Sequence, residues 1–221
     1  VDGHRSGIRP DGAELLPAAA ALADGAELAG VLTHAGDSYE CKSTAEIEAA
    51  AEAERAGIVL AAERLRAAGH TVKIVSAGST PTLMFAKDET GVTEMRAGVC
   101  ALFDLFMSNV GACTVDDIAG SVLATVIGRQ VDKRRVILDC GFLALSRDRG
   151  TARQAHDYGY GLVCGIDGKP LADGTIVLTG TNQEHGILTL PENSPLTQED
   201  FPIGRRLRIL PNHACPSAAP Y

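Results

Sequence analysis

Tryptophan is absent from this chain, and its 221 residues hold only four tyrosines and five phenylalanines. A core with so few large rings must close with aliphatic and small side chains, and the plentiful alanine and glycine suit tight packing of helices on a sheet. Clusters of lysine and arginine are missing too, and the formal net charge is -8. Nucleic-acid surfaces rely on clustered cations, so the composition speaks against that partner and for small-molecule chemistry. No apolar run reaches the roughly 18 residues that a membrane-spanning helix needs, and no charged-then-apolar leader opens the sequence. A soluble, cytoplasmic protein is the expectation. Six cysteines, at positions 41, 100, 113, 140, 164 and 215, are scattered, and several lie in apolar runs such as VILDC and YGLVC. That placement reads as mostly reduced core thiols, not a disulfide framework.

The chain is long enough for one large domain or two small ones. Up to about residue 115 it alternates apolar runs with helical stretches, the βα pattern of a parallel sheet. Helices are expected over residues 12–23 and 43–68, the second opening at Thr44 to Glu46 and closing at Gly69. Strands are expected over residues 28–34, 71–76 and 94–103. About four βα units are visible, where a closed parallel barrel uses about eight and carries its chemistry on the loops after the strands. From about residue 117 the texture changes to short apolar runs, among them SVLATVIGRQ, RRVILDC, HGILTL and RRLRILPNH, separated by turn signals such as DGKPLADG. An α/β fold follows: a partial (β/α) barrel over residues 1–117, then a mainly antiparallel β domain over residues 118–221. Neither an internal repeat nor a low-complexity segment interrupts it.

Candidate chemistry lies on the loops. His213 and Cys215, in PNHACPS, pair an imidazole and a thiol that suit zinc, in a loop stiffened by prolines. Spacing alone favours a solvated histidine beside a buried cysteine, and two ligands cannot complete a structural zinc site. They leave positions open, as a Lewis-acid site requires. VSAGSTPT, residues 75–82, follows a strand and places Ser79 and Thr80 in a turn whose amides and hydroxyls suit a phosphate, or merely form the turn. RAGV, residues 96–99, offers a second close backbone approach at Gly98, or a packing glycine. HAGDSY places His34 and Tyr39 on one loop, and DGHRSG places His4 and Arg5 on another; such groups fit beside a flat cofactor and its phenolic oxygen. LDCGFLALSRD and QEHG put polar groups inside apolar runs, where they need hydrogen-bond partners.

In order, DGHRSG, GVLTHAGDSY, VSAGSTPT, TEMRAGVCALFDLF, VLATVIG, ILDCGFLALSRDRG, QEHGIL and LPNHACPS resemble the alanine-racemase-like, fold-type III pyridoxal phosphate enzymes, in the branch of D-serine dehydratase and D-threonine aldolase. The resemblance implies a pyridoxal-binding barrel followed by a β domain. It also implies a homodimer acting on a D-amino acid. It assigns Arg5 to the cofactor phenolic oxygen, His34 and Tyr39 to the cofactor-side loop, and Ser79, Thr80, Gly98 and Val99 to the phosphate side. Arg96 resembles the racemase arginine at the pyridine nitrogen. His213 and Cys215 match the metal ligands of D-serine dehydratase, with zinc, manganese or magnesium as the metal, whereas the aldolases more often carry His-x-Asp. The implied reaction is dehydration of D-serine or a related D-3-hydroxy amino acid, with retro-aldol cleavage of D-threonine-like substrates or a noncatalytic pyridoxal-binding remnant as alternatives. Cys100 stands where the family usually has tyrosine. The family's Schiff-base lysine lies in an N-terminal PHxKT-like motif, which none of Lys42, Lys73, Lys87, Lys133 and Lys169 matches. On that ground the chain is expected to be an internal fragment, inactive by itself.

Overall fold

The computed structural model describes residues 6–22 and 25–221. They form two compact units, Val1–Cys100 and Ala101–Tyr221.

In the first unit, α1 (Leu15–Leu22), β1 (Gly30–Leu32), α2 (Thr44–Ala67), β2 (Ile74–Ala77), α3 (Thr80–Phe85) and β3 (Glu94–Met95) follow one another. The three strands pair in parallel in the order β1-β2-β3, with Val31 opposite Val75 and Ala77 opposite Met95. The long helix starts where its sequence says it should. Ser43 caps it by accepting the Glu46 N–H at 3.3 Å, the Glu46 carboxylate accepts the Lys42 N–H at 2.7 Å, and Gly69 leaves it at φ +90°. One stripe of α2 is buried: Ile47, Ala51, Glu54, Ile58, Ala61, Ala62 and Leu65. Of these, Ile58, Ala61, Ala62 and Leu65 pack with Leu15, Ala19, Val72, Val75 and Ala77, and the alanines let helix and sheet approach closely.

Three expectations need correction. The expected strand over residues 94–103 stops at Met95, because Arg96 turns to donate to the ends of β1 and β2; a 3-10 turn at Val99–Ala101 and a left-handed Phe103 (φ 51°) follow. Three parallel strands are present among the described residues, not about four βα units. The short helix α3, absent from the sequence reading, forms because Ser79 and Thr82 cap each other across its first turn and Pro81 sits within it.

The second unit comprises α4 (Leu105–Asn109), β4 (Val122–Gln130), β5 (Arg135–Leu138), β6 (Leu162–Cys164), β7 (Gly180–Thr181), β8 (Gly186–Thr189), β9 (Arg206–Leu210) and α5 (Ala214–Ala218). Its six strands form one antiparallel sheet in the order β6-β9-β4-β5-β8-β7, with a bulge in β4 between Val126 and Gly128. Alternate residues of β5 and β8 are buried, and their inward set joins Val126, Val163, Ile176, Phe201, Leu207 and Ile209 in an aliphatic core. The β texture starts near residue 118, whereas the compact unit takes in residues 101–117 as well. Buried Asp104 explains the difference: it accepts the Met107 N–H at 2.9 Å and the Ala214 N–H at 2.8 Å, so one carboxylate caps α4 and also holds the start of α5.

Candidate functional site

In the first unit the loops that leave the strand ends are bound together by one side chain. Glu54, 1% exposed in the middle of α2, accepts the Ala35 N–H at 2.9 Å and the Gly78 N–H at 3.1 Å on one oxygen, and the Thr82 hydroxyl at 2.8 Å on the other. This commits the only proton of Thr82. Ser38 donates its own proton to the Ala35 carbonyl at 2.7 Å. Ser79, whose hydroxyl lies 3.0 Å from that of Ser38 and 3.1 Å from that of Thr82, is therefore the donor of the cluster, with two acceptors for one proton. Next to it, the Thr80 hydroxyl is buried and has no hydrogen-bond partner among the described residues. A buried hydroxyl left unpaired costs about 1–3 kcal/mol, which an acceptor group arriving from outside would recover.

The neighbouring loops are held just as closely. Gly78 has φ +118°, and a Cβ there would lie 2.6 Å from the Arg96 carbonyl oxygen, so only glycine lets the β2 loop pass the end of β3. The Arg96 guanidinium donates to the Thr33 carbonyl and the Ser76 hydroxyl, tying all three strand ends. His34 sets Nδ1 3.3 Å from the Gly78 carbonyl oxygen, and its ring lies 6.0 Å from that of Tyr39. Both rings border a cleft of about 470 Å³ that Thr33 and Glu54 also line. Thus His34, Tyr39, Ser79 and Thr80 come to the same end of the sheet. Gly98 and Val99 follow β3 on the adjacent loop: Gly98 is exposed, with open space where a side chain would stand, and Val99 is buried. Arg5 lies outside the described residues.

In the second unit His213 and Cys215 flank the start of α5. His213 presents Nδ1 to the Asp148 carboxylate at 2.9 Å, and its ring meets that of Phe106 edge-on at 5.8 Å. The bond to Asp148, reinforced by the charge of Asp104, holds the imidazole pKa above its ordinary value despite burial, and the same bond holds the Asp148 carboxyl below its own. Burial and the nearby Asp104 push the exposed Cys215 thiol upward. Burial also raises Asp104, in spite of the two amides it accepts. No group of three or more histidine, cysteine or acidic side chains gathers as a metal cluster among the described residues. The donor set nevertheless suits a soft or borderline cation: an imidazole whose bond to Asp148 uses Nδ1 and not Nε2, and a thiol two residues on.

Sequence reasoning passed over Glu54, Ser38, Asp104, Asp148 and Asn212. Glu54 had a signal: it falls on the buried stripe of α2 between Ala51 and Ile58, where a charge is out of place. Asp148 lay in a segment noted for polar groups in apolar surroundings, but its partner stands 65 positions away.

The matches to known proteins run in the same order as the two units. Residues 1–105 match the family described as alanine racemase, N-terminal domain, and residues 119–221 match the putative serine dehydratase domain. The chain is 54% identical over 225 residues to D-threo-3-hydroxyaspartate dehydratase of Delftia sp. (strain HT23), covering 100% of this chain and 59% of that protein. The solved structure of that enzyme superposes with a TM-score of 0.90. D-serine dehydratase of Dictyostelium discoideum is 30% identical over 194 residues, 86% of this chain and 48% of that protein. A solved alanine-racemase-like protein of Idiomarina loihiensis, 43% identical, covers 99% of this chain and 58% of its own, with a TM-score of 0.89. Two further solved structures of a D-threo-3-hydroxyaspartate dehydratase, each 53% identical, replace a histidine by alanine and, two positions on, a cysteine by alanine, the latter in the metal-free form. The chain thus spans about three fifths of the curated dehydratase that it resembles at 54% identity. With both family matches in order, along nearly its whole length and on the two units seen here, the chain belongs to the D-serine-dehydratase-like branch of the alanine-racemase-like family.

Proposed function

We propose that the protein carrying this chain uses pyridoxal phosphate and a divalent metal, zinc foremost, to dehydrate a D-3-hydroxy amino acid to a 2-oxo acid and ammonia. The observation that carries this reading is the unpartnered, buried Thr80 hydroxyl beside the donor Ser79 at the strand ends, an arrangement that fits a phosphate. The 54% identity to a D-threo-3-hydroxyaspartate dehydratase favours that substrate, with D-serine as the smaller alternative. A homodimer belongs to the same reading on resemblance alone.

Thr80, with its unpartnered hydroxyl, and Ser79 beside it would hold the phosphate together with the loop at Gly98 and Val99. His34 and Tyr39 would border the flat ring, and the family resemblance alone assigns its phenolic oxygen to Arg5, which lies outside the described residues. Pyridoxal phosphate, when bound, supplies the electron sink that makes the substrate α-proton removable. Glu54 keeps the two hydroxyl-bearing loops in register, and Arg96 fixes the strand ends beneath them. His213 and Cys215 would hold the metal, which when bound would supply Lewis acidity toward the substrate hydroxyl. Their His-x-Cys spacing equals that of the two residues exchanged in the dehydratase variants.

Product analysis tests the proposal. Full-length protein loaded with pyridoxal phosphate and zinc is given D-threo-3-hydroxyaspartate, D-serine or D-threonine in turn. Equal amounts of ammonia and 2-oxo acid, lost on chelation, are expected from the first two. Glycine and an aldehyde from D-threonine would establish the retro-aldol reaction instead, and no product from any substrate would leave a noncatalytic protein.

A further inference from the structure

The segment SRDRG, residues 146–150, is not used by the assignments above, yet it forms the wall behind His213. Asp148 is gripped from two sides by adjacent residues. Asn212 donates to its main-chain carbonyl at 3.0 Å, while His213 meets its carboxylate at 2.9 Å. The second carboxylate oxygen accepts the Gly150 N–H at 2.8 Å, which stops the group from rotating. Asn212 is itself fixed: its amide also donates to the Gly159 carbonyl at 2.7 Å, and its oxygen lies 3.3 Å from the Thr151 hydroxyl. Phe106 packs edge-on against the imidazole, and a Cβ at position 150 would lie 1.6 Å from the Phe106 ring, so Gly150 leaves room for that ring.

A carboxylate has no proton to give, so the bond requires the imidazole to carry its proton on Nδ1. In the neutral ring the lone pair then sits on Nε2, the nitrogen with no partner in this network. Carboxylate bonds of this kind fix the tautomer of a metal-binding histidine, orient its ring and raise its basicity, and their loss typically weakens metal binding about 10–100-fold. We infer that Asp148, clamped by Asn212 and Gly150, is a positioning residue that presents Nε2 of His213 as a ready-made metal donor. The inference rests on the metal reading proposed above and adds the residue that makes the two-donor site selective for its nitrogen.

The test uses full-length protein holding pyridoxal phosphate. Zinc affinity is measured by competition with a chromophoric chelator, for the native protein, Asp148→Asn, Asp148→Ala, His213→Ala and Asp157→Asn. Asp157 is a half-exposed partner of Arg149 on the same loop and serves as the control. Zinc binding is expected to weaken about 10–100-fold in Asp148→Ala, less in Asp148→Asn, and not at all in Asp157→Asn. Nitrogen-15 shifts of the metal-free protein add a readout independent of zinc: the His213 proton is expected on Nδ1 in the native protein and divided between both nitrogens in Asp148→Ala. Should Asp148→Ala fail to fold, Asp148→Asn, of the same size, decides the matter. Native zinc affinity in a folded Asp148 variant, with His213→Ala impaired, would overturn the positioning role and leave the metal site standing. Zinc binding indifferent to His213 would overturn both.

Discussion

Glu54 is the residue on which the first unit's loops depend most. Leucine in its place would leave the buried Ala35 and Gly78 amides and the Thr82 hydroxyl without their acceptor. At about 1–3 kcal/mol per orphaned group, Glu54→Leu is expected to lower stability by at least about 3 kcal/mol, read as the shift in urea midpoint at unchanged slope. Glu54→Gln still offers its oxygen to the two amides and turns its NH2 to Thr82, so a loss nearer about 1 kcal/mol is expected. The thiols make a second residue-scale prediction. Burial pushes Cys140 up to about 12 and Cys164 up to about 11, while Cys100 and Cys215 are exposed. A thiol with a pKa near 11 is about one part in a thousand thiolate at pH 8. Iodoacetamide at that pH is therefore expected to label positions 100 and 215 and spare 140 and 164, with zinc protecting position 215; mass spectrometry of the digest reads the pattern.

Among elements, α2 was legible because its ends are written in local chemistry, with Ser43 and Glu46 at one end and Gly69 at the other. The antiparallel strands were legible from alternation and turns. β3 was not: EMRAGVCALF reads as one apolar run, and only the folded neighbours show that Arg96 must turn to reach Thr33 and Ser76. The site divides in the same way. His34, Tyr39, Ser79, Thr80, His213 and Cys215 could be proposed from loops rich in functional groups, whereas Asp148 meets a partner brought near only by folding. Gly78 supplies the test at this scale. Alanine there would carry a strained φ and press its Cβ on the Arg96 carbonyl, so Gly78→Ala is expected to cost about 2–3 kcal/mol or more and to loosen β2 from β3. Faster amide exchange at Arg96, whose N–H bonds the Ala77 carbonyl at 2.8 Å, reports the loosening; unchanged exchange and stability would show that the loop can relax.

For the molecule as a whole, two family matches, a parallel unit and an antiparallel unit agree. Among the described residues no helix is long and apolar enough to cross a membrane. The functional reading depends on one claim, that the Ser79 and Thr80 hydroxyls form the seat of a phosphate. The most direct measurement compares the dissociation constants of pyridoxal phosphate and of pyridoxal, which lacks the phosphate, in full-length protein and in a Ser79→Ala, Thr80→Val double variant. Two charge-assisted bonds at roughly 1.5–3 kcal/mol each correspond to a loss of at least about a hundredfold. The account predicts that loss for pyridoxal phosphate, with pyridoxal affected less than about threefold. Equal weakening of both ligands, or no weakening of either, would contradict it.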